Sequence, residues 1–212
     1  MKKIVTLVSI VLISLTAKAQ DSSQGLKGAW FATSQFGYQQ TKTADSKNTT
    51  LSVLPIVGTF VTPSVAVGAG VGYINIKADS DAGTAAKTDL FVAQPLVRKY
   101  WNVAGSLYFF GQLAVPIITG KEKESELKVN QVGVSLSGGF DYFVTKNFSV
   151  EFSYDLANFT STTIDPKTGD KTTVTNFGLA HAANVDPFYN TALGGSNPNL
   201  TSPISVGFKF LF

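Results

Sequence analysis

The chain has 212 residues, of which 15% are charged and 12% aromatic, and it contains no cysteine. The absence of cysteine excludes disulfides, thiolate metal sites and cysteine nucleophiles. The formal net charge of +3 arises from 17 basic and 14 acidic residues, and three of the lysines, Lys2, Lys3 and Lys18, lie near the start. The remaining chain is neutral, so we expect no basic surface of the kind that binds nucleic acid.

The first residues have the pattern of an export signal. Lys2 and Lys3 precede an apolar run over residues 4–15, and the small residues Ala17 and Ala19 follow it. A charged start, a short apolar core and a small-residue cleavage site define a secretory signal peptide. The run is shorter than the roughly 20 apolar residues of a transmembrane helix. We expect residues 1–19 to be a cleaved signal peptide and residues 20–212 to form one domain.

Alternating apolar and polar residues predict β-strands along the rest of the chain. From Phe148 to Leu156 every second residue is apolar, and the residues between them are polar or acidic. A period of two places these sets on opposite faces of a strand. The same reasoning predicts eight strands, at residues 28–40, 50–60, 65–77, 88–100, 105–118, 127–141, 147–160 and 202–212.

The connections between these strands alternate between short turns and longer charged loops. Two of the turns are near-copies, over residues 60–67 and 143–150, and each begins with Phe-Val-Thr. Short periplasmic turns and long extracellular loops are typical of transmembrane barrels, whose outward faces meet lipid. We therefore predict an all-β, eight-stranded antiparallel up-and-down transmembrane β-barrel. Pro55, Pro95 and Pro116 fall inside predicted strands, where bulges should accommodate them.

The last predicted strand carries the most specific pattern. Its apolar residues alternate with small or charged ones up to the final aromatic, at Ile204, Val206, Phe208, Phe210 and Phe212. This ending is similar to the C-terminal assembly signal of outer-membrane barrels, and the chain resembles the small OmpA/OmpX-like barrels of Gram-negative bacteria. The resemblance implies an outer-membrane location, the barrel insertion machinery as a partner and no catalytic activity.

The alternation also predicts which charged side chains point into the barrel. Glu151, Asp155 and Lys209 fall on the inward set, together with Arg98, the only arginine of the chain. An eight-stranded barrel has an interior just wide enough to be filled by side chains, and an unpaired buried charge is costly. We therefore predict a lumenal network of ion pairs. A path for protons or ions is the alternative interpretation.

Residues that could carry other chemistry are few. His181 is the only histidine and lies in a long loop, predicted over about residues 160–201, with no serine placed beside it by a motif. A catalytic base must reach its nucleophile, and one histidine makes a poor metal site. We therefore predict no catalytic residue, metal or cofactor.

Three classes of function stay open from the sequence: a structural or surface-interaction barrel, a membrane-embedded lipid-modifying enzyme, and a soluble periplasmic carrier of the lipocalin kind. The first is favoured, with binding carried by the extracellular loops and above all by the last one. Phe177, Phe188 and Tyr189 are its candidate anchors, because aromatic side chains often dominate interfaces. The sequence does not identify the ligand, and a flexible shielding loop is the alternative.

Overall fold

The computed structural model of the protein describes residues 25–42, 46–80, 83–123, 125–179 and 204–212. Within these ranges the chain forms ten β-strands: β1 (Trp30–Lys42), β2 (Ser46–Phe60), β3 (Val65–Ser80), β4 (Gly83–Ala104), β5 (Leu107–Ala114), β6 (Ile117–Glu122), β7 (Lys128–Thr145), β8 (Phe148–Asp165), β9 (Thr172–Leu179) and β10 (Ile204–Leu211). No helix among the described residues is long and apolar enough to span a membrane.

The ten strands occupy eight positions of a closed antiparallel ring. β5 and β6 pair with successive stretches of both β4 and β7, so together they fill one position. β9 and β10 pair with successive stretches of β8 and fill another. The pairing of β1 with β10 closes the ring. The predicted eight-stranded antiparallel barrel is confirmed.

Proline explains the break between β5 and β6. β5 ends before Val115 and Pro116, and Pro95 of β4 lies beside this break. The Val115 amide donates to the Pro95 carbonyl at 3.0 Å, and the Gly133 amide donates to the Pro116 carbonyl at 2.9 Å. Since proline has no amide hydrogen, Pro95 and Pro116 both lack a backbone donor at the same place, the break between β5 and β6. Pro55 stays within β2, opposite Ser34.

Several strands are longer than the sequence pattern predicts. β3 and β4 continue past the predicted ends, so that Lys87, expected in a loop, pairs directly with Lys77 at the predicted end of its strand. β8 continues to Asp165, and β9 folds back along it. Two threonine-rich segments, residues 158–164 and 171–177, flank a turn and predict this hairpin within the long loop. Phe177 lies in β9 beside Phe159, and both side chains point outward.

The outer face of the ring is an apolar band. Large apolar side chains on it are between about two-fifths and two-thirds exposed, as a lipid-facing surface requires; they include Val53, Val57, Val71, Phe91, Val97, Leu113, Val132, Leu136, Phe140, Phe152, Val206, Phe208 and Phe210. Trp30 and Trp101 lie on the same face toward the short-turn end. Apolar side chains therefore cover the outer face of the ring as well as part of its interior, whereas the outer face of a soluble sheet protein is polar.

Glycine makes room for large side chains inside the barrel. A Cβ atom at Gly58 would lie 2.3 Å from Cζ of Phe31, and one at Gly72 would lie 2.8 Å from Cδ1 of Leu54. Phe31 and Leu54 are almost completely buried. Small residues on β2 and β3 thus make room for bulky side chains of the neighbouring strand, as in an interior that side chains fill.

Candidate functional site

A charged cluster crosses the lumen near the short-turn end of the barrel. Arg98 of β4 forms a two-pronged ion pair with Glu151 of β8, and its Nη2 lies 3.1 Å from Oε1 of that carboxylate. The same guanidinium donates through Nε to Oε1 of Gln112 at 3.0 Å and through Nη1 to the Tyr100 hydroxyl at 3.2 Å. Its planar donor fork suits such bidentate contacts.

Lys209 of β10 joins this cluster from another side of the ring. Its ammonium group forms ion pairs with Asp141 and with Glu151, the latter at 3.1 Å, and donates to the Tyr100 hydroxyl at 2.9 Å. The side chains of Lys209 and Asp141 are completely buried. Two cations therefore face two carboxylates, so the group as a whole is neutral. This pairing is what allows four charges to lie in a dry interior.

Aromatic rings surround the charges and close the lumen toward the turns. Phe60 packs against Tyr100 with ring centroids 5.2 Å apart, and Tyr108 packs against Phe143 at the same distance. The Arg98 guanidinium lies 4.2 Å from the centroid of the Phe110 ring, a cation–π geometry. Each of the two turns that begin with Phe-Val-Thr thus places its phenylalanine, Phe60 or Phe143, on the lumen side.

The structure brings together three of the four residues predicted for the lumen, Arg98, Glu151 and Lys209. Asp155 is half-buried and forms no ion pair within the described part of the chain. Asp155 lies next to a bulge in β8. Ser137 of β7 pairs with Asp155, but the neighbouring Leu136 pairs with Ala157, so the register skips one residue of β8.

Sequence reasoning missed Tyr100, Gln112 and Asp141. A usable signal existed for Asp141, because Phe140 and Tyr142 on either side of it are both exposed on the outer face. Strict alternation would have placed the carboxylate inward. Phe188, Tyr189 and His181 lie outside the described residues, as does the predicted signal peptide.

The opposite end of the barrel carries polar side chains on its outer face. Asp89 of β4 accepts hydrogen bonds from the Tyr73 hydroxyl and from Nδ2 of Asn75, the latter at 2.6 Å, and pairs with Lys123 at 2.9 Å. The carboxylate raises the pKa of Lys123 above its ordinary value through this hydrogen bond. Polar pairs on an outward face mark where the apolar band gives way to water.

A closed ring with an apolar outer band and a packed, ion-paired lumen defines an integral membrane β-barrel. Residues 5–181 match the model of the outer membrane protein beta-barrel domain family, and the chain belongs to this family. Its location is accordingly the outer membrane.

The fold is similar to that of a solved outer-membrane protein. The crystal structure of the outer membrane protein OprG from Pseudomonas aeruginosa superposes with a TM-score of 0.50 and 13% identity, covering 91% of this chain and 99% of that chain. At this identity the likeness is one of fold alone. No curated protein sequence matches the chain.

Proposed function

We propose that this protein is a non-enzymatic outer-membrane barrel with a closed lumen, whose structural or surface-interaction role is carried by its extracellular end. The observation that supports this most is the neutral cluster of Arg98, Asp141, Glu151 and Lys209, seated in the lumen. Its members come from β4, β7, β8 and β10, and Gln112 of β5 accepts a hydrogen bond from Arg98. A solute passing along the lumen would have to break these ion pairs.

The buried ion pairs and the aromatic rings around them lie at the same end of the barrel. Arg98 and Lys209 are nearly or completely excluded from solvent, and Tyr100, which both contact, is 2% exposed. Breaking a buried pair leaves an uncompensated charge and costs several kcal/mol, on the order of 3–5. We infer that the barrel conducts neither sugars nor hydrated ions at an appreciable rate.

Liposome swelling tests the closed lumen. Purified barrel should give no swelling above protein-free vesicles with arabinose, the smallest convenient sugar. The variant Arg98→Ala with Glu151→Ala, which removes one opposed pair and leaves Lys209 with Asp141, should increase permeability if the pair closes the lumen. Swelling by the unaltered protein at the rate of a general porin would contradict the proposal.

The surface role is tested in a deletion strain. A deletion strain that carries the variant with Phe188→Ala and Tyr189→Ala should not recover any binding or envelope phenotype that the intact protein restores. Phe177→Ala, at the third candidate anchor, should weaken the phenotype as well. Phe91→Ala serves as the matched control, because Phe91 lies on the apolar band in β4, and it should retain the phenotype. The deletion should leave the composition of lipid A unchanged. If the deletion alters the acylation of lipid A, and His181→Ala produces the same alteration, the protein is a lipid-modifying enzyme instead.

Assembly is proposed to depend on the C-terminal strand and the insertion machinery. The backbone of Phe212 exchanges two hydrogen bonds with Trp30, at 2.9 and 3.0 Å, where β1 and β10 close the ring. Deleting Phe212 should therefore reduce the heat-modifiable form in cells far more than His181→Ala does. Equal assembly of both variants would contradict this role. N-terminal sequencing of the assembled protein should begin at Gln20, as the predicted signal cleavage requires.

A further inference from the structure

A group of lysines lies on the outer face of the barrel at the long-loop end. The rim lysines, as we call them, come from β3, β4, β6 and β7 and from the turn after β6; they are Lys77, Lys87, Lys121, Lys123 and Lys128. In β3 and β4 they follow the outward alternation of Tyr73 and Phe91, whose neighbours Ile74 and Leu90 are buried. All five belong to adjacent positions of one sheet.

The register places like charges directly opposite one another. Lys77 pairs with Lys87 across β3 and β4, and Lys121 pairs with Lys128 across β6 and β7. The Lys123 amide donates to the Lys87 carbonyl at 2.9 Å, so these two are also neighbours. Like charges directly opposite in a sheet are destabilising. Two such pairs side by side therefore indicate that the surface is suited to a negatively charged ligand.

Carboxylates of the protein neutralise this surface only in part. Asp89 lies opposite Lys121 in register, and its carboxylate pairs with Lys123. Asp79 of β3 lies opposite Lys47 of β2. Asp165 is opposite Lys128, but its carboxylate forms an ion pair with Lys171 at 3.0 Å. Glu122, the other nearby carboxylate of β6, points inward and is buried. Of the described residues on this face, the lysines are in clear excess.

The rim lysines border the lipid-facing band. Below them on the same strands lie half-exposed Tyr73, Phe91, Ile117 and Val132. Aromatic residues at such a border are typical of the membrane–water interface. Because long loops are extracellular in outer-membrane barrels, the border faces the outer leaflet. A ligand here would meet cations with its head and apolar side chains with its tail.

We propose that the rim lysines bind the phosphate groups of an anionic glycolipid of the outer leaflet, of the lipid A type. Ammonium groups bind phosphate as point charges, and neighbouring strands about 4.8 Å apart bring two of them to one phosphate. The acyl chains of the same molecule lie along the apolar band. Bound phosphate offsets the repulsion between Lys77 and Lys87 and between Lys121 and Lys128.

Binding of purified lipid A to the refolded full-length barrel in neutral detergent tests the proposal, measured by native mass spectrometry and by the rise in unfolding temperature. The double variant Lys87→Gln with Lys121→Gln should weaken binding by at least about tenfold. The matched control, Lys99→Gln with Lys146→Gln, removes two exposed lysines at the short-turn end and should bind within about twofold of the unaltered protein.

The shift between heated and unheated gels shows that each variant is folded before binding is measured. Equal losses in both double variants would overturn the proposal, because the effect would then be one of overall charge. Equal binding of enzymatically dephosphorylated lipid A would also overturn it. Inorganic phosphate alone, at millimolar concentration, should not reproduce the rise in unfolding temperature; if it does, the lysines bind the anion without the lipid and the glycolipid is not the ligand.

Discussion

Lysine occurs in two opposite environments in this barrel. Lys209 is completely buried in the lumen, where two carboxylates and a tyrosine hydroxyl surround its ammonium group. Lys77 and Lys87 lie on the outer face and oppose one another. The cost of a charge therefore depends on its partners and on water. The buried cation is held by pairing, whereas the exposed cations repel each other across a sheet that water and lipid headgroups can reach.

The buried side of this comparison gives the largest predicted effect. Lys209→Met leaves Asp141 and Glu151 without one of their cations in a dry site, and should lower the free energy of unfolding by roughly 3–5 kcal/mol. Urea unfolding in neutral detergent, followed by tryptophan fluorescence, measures it. The control Lys99→Met removes an exposed lysine that donates to Ser64 and should change stability by less than about 0.5 kcal/mol. Equal midpoints for both variants would contradict the prediction.

The lipid-facing surface should tolerate charge almost as poorly. Phe152 is 43% exposed on the apolar band and lies between Phe140 and Val206 in register. Phe152→Arg should cost roughly 2–4 kcal/mol in lipid vesicles, while Phe152→Leu should cost much less because it stays apolar. Reversible unfolding from phosphatidylcholine vesicles measures both. An arginine variant as stable as the leucine variant would show that this face is not in lipid.

Packing inside the lumen gives a smaller effect. Gly58→Ala would bring a methyl group within 2.6 Å of the Val67 carbonyl and against the Phe31 ring, so it should cost roughly 1–3 kcal/mol. Gly111→Ala is the control, because a methyl group there would lie 3.5 Å from the Trp101 ring, an ordinary van der Waals contact. Thermal unfolding in detergent compares the two. The packing argument fails if Gly58→Ala unfolds at or above the temperature of Gly111→Ala.

The smallest effect concerns the rim lysines in the absence of lipid. Lys87→Glu replaces a repulsive cross-strand pair with an attractive one opposite Lys77, and should stabilise the barrel by about 0.2–1 kcal/mol. The gain should shrink at high salt, because these charges are exposed. Unfolding in neutral detergent at low and high salt measures it. A loss of stability at low salt would show that Lys77 and Lys87 do not repel each other.

Alternation alone predicts which residues point into the barrel, because a strand has only two faces. It places Arg98, Glu151 and Lys209 inward, where the structure has them. It does not predict that Arg98 meets a residue 53 positions away, since that contact depends on the register of every strand between β4 and β8.

Strand ends are less predictable, because clustered charges are typical both of loops and of strands that extend beyond the membrane. Lys77 and Lys87 belong to strands that continue into water above the membrane, where outward polar residues are well solvated. The hairpin of β8 and β9 is predicted correctly from its two threonine-rich segments, since β9 pairs with residues 157–164 of β8. The sequence pattern does not predict that Phe177 and Leu179 of β9 are both exposed on the outer face.

The shared ring position of β9 and β10 has a consequence for how the chain could vary. Both strands run antiparallel to β8, so β9 ends at Leu179 and β10 begins at Ile204 with the same direction. The number of residues between these points can change without altering the parity of the ring or the side on which the chain ends. Evolution, or an engineer displaying a foreign peptide on a cell surface, can therefore insert sequence between β9 and β10 without changing the topology of the ring.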